Sequence, residues 1–150
     1  MFITAILPNF IAGMEYDLLN QIPDRISDSE VLDYLRTRKM DWSYITLFKE
    51  ITDSTDEMIS GWLNISVRTF RNYKNPENKI RDQVKEQLLL LLSLFKYGRE
   101  VFGTSKDFNH WLDAENFYFD GQKPVSFLNT VTGIKYIRER LTGLEYGDNA

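Results

Sequence analysis

The chain has 150 residues, of which 43% are hydrophobic and 14% aromatic, with a formal net charge of −4 and no cysteine. That is ample apolar material for one packed domain, or two small ones sharing a core, and it argues against wholesale disorder. The missing cysteines exclude disulfides, thiolate metal sites and a cysteine nucleophile, and an acidic total means that any nucleic-acid contact must rest on a local basic patch.

The opening run MFITAILPNFIAGMEY imitates a signal peptide only in its apolar content. It has no basic n-region, and Pro8 and Asn9 interrupt it. We read it as an apolar arm with a turn at Pro8 and Asn9, packed on the domain or on a second copy, or else a disordered end. No apolar run elsewhere approaches the roughly 18–20 residues that a membrane helix needs. Residues 28–38 place Val31, Leu32 and Leu35 at helical spacing, with Asp28 or Ser29 as the cap. A second helix over residues 41–51 carries Trp42, Ile45, Leu47, Phe48 and Ile51. Neither segment has strand-like alternation, no repeat or Pro/Gly/Ser linker is evident, and the chain reads as nearly all helical.

Residues 52–75, TDSTDEMISGWLNISVRTFRNYKN, hold the first informative pattern. Ser54 and Glu57 fit a capping box, with a hydroxyl at the cap and a carboxylate three residues later. Ile59 and Leu63 are spaced to face a core beside the small Ser60. Asn64 then stands at a turn, and asparagine is among the few non-glycine residues that enter the left-handed region readily. Ile65 is expected to be buried, Ser66 to cap the next helix, and Phe70 and Tyr73 to hold that helix down. This is the shape of a helix-turn-helix: supporting helix, tight turn, recognition helix. Glycine is usual at such a turn, and Asn64 is a departure.

What points outward carries the chemistry. Arginine pairs bidentately with guanine and asparagine with adenine, at about 1–3 kcal/mol of discrimination each, and Arg68, Arg71 and Asn72 lie on the recognition helix away from Phe70 and Tyr73. Lys74, Lys79 and Arg81 suit phosphates, which position without specifying. Residues 66–81 hold five basic side chains against one acidic, Glu77, so the local patch exists. The expected DNA-binding set is Ser66, Arg68, Thr69, Arg71, Asn72, Lys74, Lys79 and Arg81. The alternative is a solvated basic face, or one used for protein contacts.

After the turn at Asn75 and Pro76, a long helix is expected over residues 80–102, stopping before Gly103. Its centre, QLLLLLSLFKYG, is apolar almost all round, as in a helix buried on most sides. Leu88, Leu91 and Phe95 form one stripe, and Leu90, Leu94, Tyr97 and Val101 another. One stripe can hold the helix-turn-helix and the other a C-terminal unit or a second protomer. Helix-turn-helix proteins usually read paired half-sites as dimers, so a homodimer is expected, with the interior helix of a monomer as the alternative. Thr104 or Ser105 caps a short helix carrying Phe108, Trp111 and Leu112. His110 is the only histidine, which argues for neither catalysis nor a metal. NFYFDG is an aromatic loop that either clamps the helices after it or faces a partner.

The last stretch, GQKPVSFLNTVTGIKYIRERLTGLEYGDNA, reads as two short helices. Pro124 suits a first helical turn, where its missing N–H costs nothing. Phe127 and Leu128 go to the core. Thr132 is expected to cap the second helix, in which Ile134, Ile137 and Leu141 recur while Lys135, Arg138 and Glu139 fall on other faces. Gly143 is placed for a left-handed stop, leaving LEYGDNA as a tail that is presented rather than buried.

The ordered set Gly121, Pro124, Leu128, Thr130, Gly133, Leu141, Gly143, Tyr146 and Gly147 resembles the C-terminal toxin-binding domain of the Xre/MbcA/ParS antitoxin family. It contains a Gly-x-x-Pro turn, a Leu-containing helix, a Thr-x-x-Gly step, and a helix ending at Gly before a Tyr-Gly tail. The likeness spans residues 98–147, joined by helix-turn-helix shape over residues 41–73; the first thirty residues lie outside it. It implies the antitoxin of a type II module that neutralises an adjacently encoded RES-domain toxin, one that destroys cellular NAD. It also implies repression of its own promoter through operator DNA. Carried over by position, Leu144, Glu145, Tyr146 and Gly147 would face the toxin and obstruct its NAD-binding cleft, with Lys135 and Arg138 nearby.

The expected architecture is all-α: an arm over residues 1–27, an Xre-like helix-turn-helix domain for DNA binding and dimerisation over 28–103, and a small helical toxin-binding domain over 104–150. A cytoplasmic protein without cofactor or metal is expected. The second reading is a stand-alone helix-turn-helix repressor whose C-terminal unit dimerises or binds another partner. An enzyme has little support, because no phosphate-binding glycine loop, nucleophile–base set or metal-ligand spacing is present. Asp113, Glu115 and Asp120 read as solvated acids of a loop, the alternative being a metal-dependent nuclease site.

Overall fold

The computed structural model describes residue 13 and residues 17–147. The expected turn at Pro8 and Asn9, and the final residues 148–150, lie outside the described residues. All regular structure among those residues is helical: seven α-helices and two 3-10 turns follow a first helical segment, residues 17–21. In chain order the α-helices are α1 (Asp28–Thr37), α2 (Trp42–Thr52), α3 (Asp56–Trp62), α4 (Val67–Asn72), α5 (Asp82–Phe102), α6 (Ser105–Leu112) and α7 (Val131–Glu145). The 3-10 turns, Phe117–Phe119 and Pro124–Phe127, lie between α6 and α7.

Helix α5 is the axis. It packs against α1, α2, α6 and α7, and Leu88 to Leu92 are all buried, as is Tyr97. Each such leucine contributes roughly 1.5–3 kcal/mol by leaving water. The all-round apolar character is therefore used inside one chain. Gly103, at φ 89°, ends the helix where the sequence placed its stop. One hydrophobic cluster contains Phe48 and Phe70 from the first half and Phe108, Leu128 and Leu141 from the second. Leu19, Ile22 and Ile26 join it, so the described end of the expected arm is part of the core.

Several boundaries differ from expectation, each for a local reason. Helix α1 is capped by Ser27, whose Oγ accepts from Glu30 N and donates to the Glu30 carboxylate at 3.0 Å. That is a side-chain cap one residue upstream of the expected one, with the Glu30 carboxylate held by the cap hydroxyl. Leu32 is 67% exposed, and the core position goes to Tyr34, whose hydroxyl pairs with that of Tyr44 at 2.8 Å. Helix α3 is capped by Thr55, which accepts from Met58 N, while Ser54 is buried beneath it. Helix α7 is capped by Thr130, which accepts from Gly133 N at 2.9 Å, so Thr132 falls inside its first turn. Gly143 does not stop that helix. It runs to Glu145, and the positive φ belongs to Gly147 at 99°.

Candidate functional site

The segment after α6 is assembled on aromatic rings. Phe119 is buried and meets Trp111, Phe127 and Tyr136 at ring-centroid distances of 6.1, 5.4 and 5.1 Å. Asn116 holds this turn by accepting from Tyr118 N at 2.9 Å. The loop thus clamps α7, one of the two roles expected for it. Its other side faces outward: Phe117 is 98% exposed, and Tyr118 lies with the Arg140 guanidinium 4.2 Å from its ring centroid. Two glycines set the packing distances. Gly98 on α5 lies against the Phe108 ring, and Gly133 against the Phe127 carbonyl, both too close for a Cβ.

The far end of α7 is fastened by residues 25–28. Arg25 Nη1 reaches Glu145 Oε2 at 3.4 Å, and Tyr97 Oη also donates to that carboxylate. Arg138 Nη1 donates to the Ile26 carbonyl at 2.8 Å, and Lys135 Nζ pairs with Asp28 at 2.9 Å. That lysine holds the Asp28 carboxyl below its usual range. Burial, then the Glu145 contact, pushes the Tyr97 phenol up. Of the six residues expected at a toxin interface, Lys135, Arg138 and Glu145 are thus engaged within the chain, and Leu144 packs half-buried against the core. Tyr146, 76% exposed, and Gly147 face solvent.

In the first half, α3 and α4 are joined at Asn64, whose φ of 56° is the left-handed turn that the sequence indicated. Its side-chain Nδ2 donates to the Asn129 carbonyl at 2.5 Å, tying this turn to the loop before α7. Ser66 caps α4 by accepting from Thr69 N at 3.0 Å, and Phe70 and Tyr73 are buried as expected, whereas Ile65 is half-buried. Arg68, Asn72, Lys79 and Arg81 are exposed, and Thr69 is half-buried. Arg71 turns back onto α3, with Nε 3.0 Å from Asp56 and Nη2 3.5 Å from Glu57. Hydrogen bonds from Lys49, then Arg71, hold the Asp56 carboxyl below its usual value.

Lys74 lies with Nζ 5.5 Å from the Trp42 ring centroid, at a cleft of about 520 Å³ that Lys79 also lines. Lys39 and Lys85 complete it. Sequence reasoning named neither, because one lies before α2 and the other in the first turns of α5, and no linear pattern joins them. Phe117 was seen only as part of an aromatic run; nothing in its local pattern says which ring of Phe-Tyr-Phe is left outside. His110 is exposed at the end of α6. Among the described residues, no group of three or more His, Asp or Glu is placed to hold a metal ion, and no helix is long and apolar enough to cross a membrane.

Residues 98–147 match the family model for the antitoxin Xre/MbcA/ParS C-terminal toxin-binding domain. The matched span begins inside α5 at Gly98 and takes in α6, both 3-10 turns and α7 with its exposed Tyr146 and Gly147. No curated protein matches the chain.

Proposed function

We propose that this chain, whose residues 98–147 match the Xre/MbcA/ParS antitoxin C-terminal toxin-binding domain, is the antitoxin of a toxin–antitoxin system whose toxin carries a RES domain and degrades NAD. The observation that carries the reading is the matched domain ending in an exposed Tyr146-Gly147 step beyond a firmly anchored α7. In this reading the end of the chain enters the toxin's NAD-binding cleft and blocks it by occupancy, without supplying chemistry. Tyrosine is among the residue types that dominate interface hot spots, and an exposed one at a helix end reaches a partner without unfolding anything. Lys135, Arg138, Glu145 and Leu144 then act mainly by fixing the direction in which the end leaves the fold.

The chain also represses its own operon in this reading, as a cytoplasmic homodimer that places α4 in the major groove of operator DNA. Arg68 and Asn72 read bases there, and Ser66, Thr69, Lys74, Lys79 and Arg81 hold the backbone. Residues 28–103 form the DNA-binding and dimerising part, and residues 104–150 the toxin-binding part, over a shared core. The helix–turn–helix geometry at Asn64 and the exposed basic end of α4 support this.

The test is rescue. The product of the adjacent reading frame is induced with and without this chain while growth and cellular NAD are followed. Collapse of NAD alone, and restoration with a co-purifying complex, is the expected result. A harmless neighbour that never co-purifies overturns the antitoxin reading and leaves a stand-alone repressor. Within a positive result, Tyr146→Ala is preferable to truncation after Gly143, because truncation also removes the Glu145 anchor. Full rescue by Tyr146→Ala removes this side chain from the mechanism.

A further inference from the structure

The cleft beside α4 collects four lysines from three separate places in the chain. Lys39 comes from the link between α1 and α2, Lys74 and Lys79 from the loop after α4, and Lys85 from the start of α5. One carboxylate, Asp41, lines the same space, and it is turned to the cap of α2, where Oδ1 accepts from Ser43 N at 3.0 Å. Lys39, Lys74 and Lys79 have no carboxylate partner among the described residues. Lys85 comes only within 3.9 Å of Asp82, itself almost wholly exposed. A protein with a net charge of −4 has thus set four lysines around one opening against a single lining carboxylate. Like charges so gathered repel unless a counter-charge is bound.

The lysines, rather than the ring in the wall, indicate the kind of anion. Trp42 meets Phe70 at 5.4 Å and has Lys74 Nζ 5.5 Å from its centroid, so its surroundings already hold a ring and a cation. Lysine ammoniums are well suited to phosphate oxygens. The cleft is continuous with the end of α4 through Tyr73 and Lys74. We propose that it is a phosphate-binding site that takes the phosphodiester backbone of DNA alongside the groove entered by α4. Lys39 and Lys85, outside the helix-turn-helix, act as its outer clamps. This rests on the DNA-binding reading above and adds to it a second, sequence-independent contact.

The test is a salt titration of affinity, using the full chain on duplexes of operator and scrambled sequence. Each phosphate neutralised contributes about 0.9 to the slope of log affinity against log salt. Lys39→Ala with Lys85→Ala is expected to lower that slope by about 1.8 on both duplexes, with an unchanged circular dichroism spectrum. A charge-matched control, Lys106→Ala with Lys123→Ala, is expected to leave it unaltered. Arg68→Ala, in contrast, should lose preference for the operator while keeping most of the slope. If the wild type binds duplex and the Lys39/Lys85 pair leaves the slope unchanged, the cleft is not a backbone site although the DNA reading stands. If the wild type binds no duplex, both fail together. Tripolyphosphate serves as the competing source: a Lys39/Lys85 variant that loses tripolyphosphate but keeps its full DNA slope assigns the cleft to a small polyanion and overturns the proposal.

Discussion

Arg71 Nε stands 3.0 Å from Asp56 Oδ2, joining the last turn of α4 to the first turn of α3 across the Asn64 turn. An arginine placed this way has its charge answered inside the protein. Arg68, three residues earlier, is exposed with no carboxylate partner among the described residues. The two arginines, alike in sequence, are therefore expected to differ in role. Arg68→Ala should weaken operator binding by about 1–3 kcal/mol with the melting temperature unchanged. Arg71→Ala should cost about 0.2–1 kcal/mol of stability, as partly exposed ion pairs do, and affect binding less. Fluorescence anisotropy beside thermal melts separates the two. Equal losses of binding would mean that Arg71 leaves Asp56 for DNA.

The same carboxylate makes stability depend on acid. Asp56 is held below its ordinary value of 3.8 by hydrogen bonds from Lys49 and then Arg71. A carboxyl with a lowered folded pKa contributes stability above its unfolded value, and that contribution is lost as pH falls through the folded value. The stability difference between wild type and Asp56→Asn is accordingly expected to hold steady from neutrality to about pH 5, then shrink as pH drops below 3.8. Urea denaturation across this range measures it. A difference that persists unchanged at the acid end would show that packing, rather than charge, sets the effect.

Gly133 is required by space rather than by conformation. A Cβ there collides with the Phe127 carbonyl and crowds Thr130 Oγ1 at 2.8 Å, at the point where Thr130 caps α7. Because a backbone carbonyl cannot swing aside like a side-chain tip, Gly133→Ala is expected to cost at least the roughly 1–3 kcal/mol typical of overpacking. Thr130→Ala, which removes only the cap, should cost about 1 kcal/mol. Chemical denaturation ranks them. The reverse order would indicate that the Phe127 turn yields freely.

Phe117 offers the cleanest separation of binding from folding. At 98% exposed it can be changed to alanine with stability altered by no more than about 0.5 kcal/mol. It lies inside the matched toxin-binding domain. Phe117→Ala is expected to weaken the complex with the toxin by about 2 kcal/mol or more, as loss of an aromatic hot spot does. Calorimetry on the purified pair reads this directly. An unchanged affinity would assign the exposed ring to some other contact.

What the sequence determined by itself is local or periodic. Helical spacing put Phe48, Phe70, Leu88 and Ile137 in the core, and the left-handed tolerance of asparagine located the Asn64 turn. The ordered Gly, Pro and Thr positions of the last stretch carried the resemblance to the antitoxin toxin-binding domain, whose family model matches residues 98–147. Helix ends were read less well: Ser27, Thr55 and Thr130 each had a neighbouring hydroxyl or carboxylate able to cap, and packing chose between them. Partnerships over long separations were the province of tertiary structure. Arg71 chose Asp56, Arg25 and Tyr97 met at Glu145, and Lys39 joined Lys85 at one cleft. A side chain's charge is written in the sequence, but whether that charge is answered or left open depends on what folding brings within a few ångströms of it.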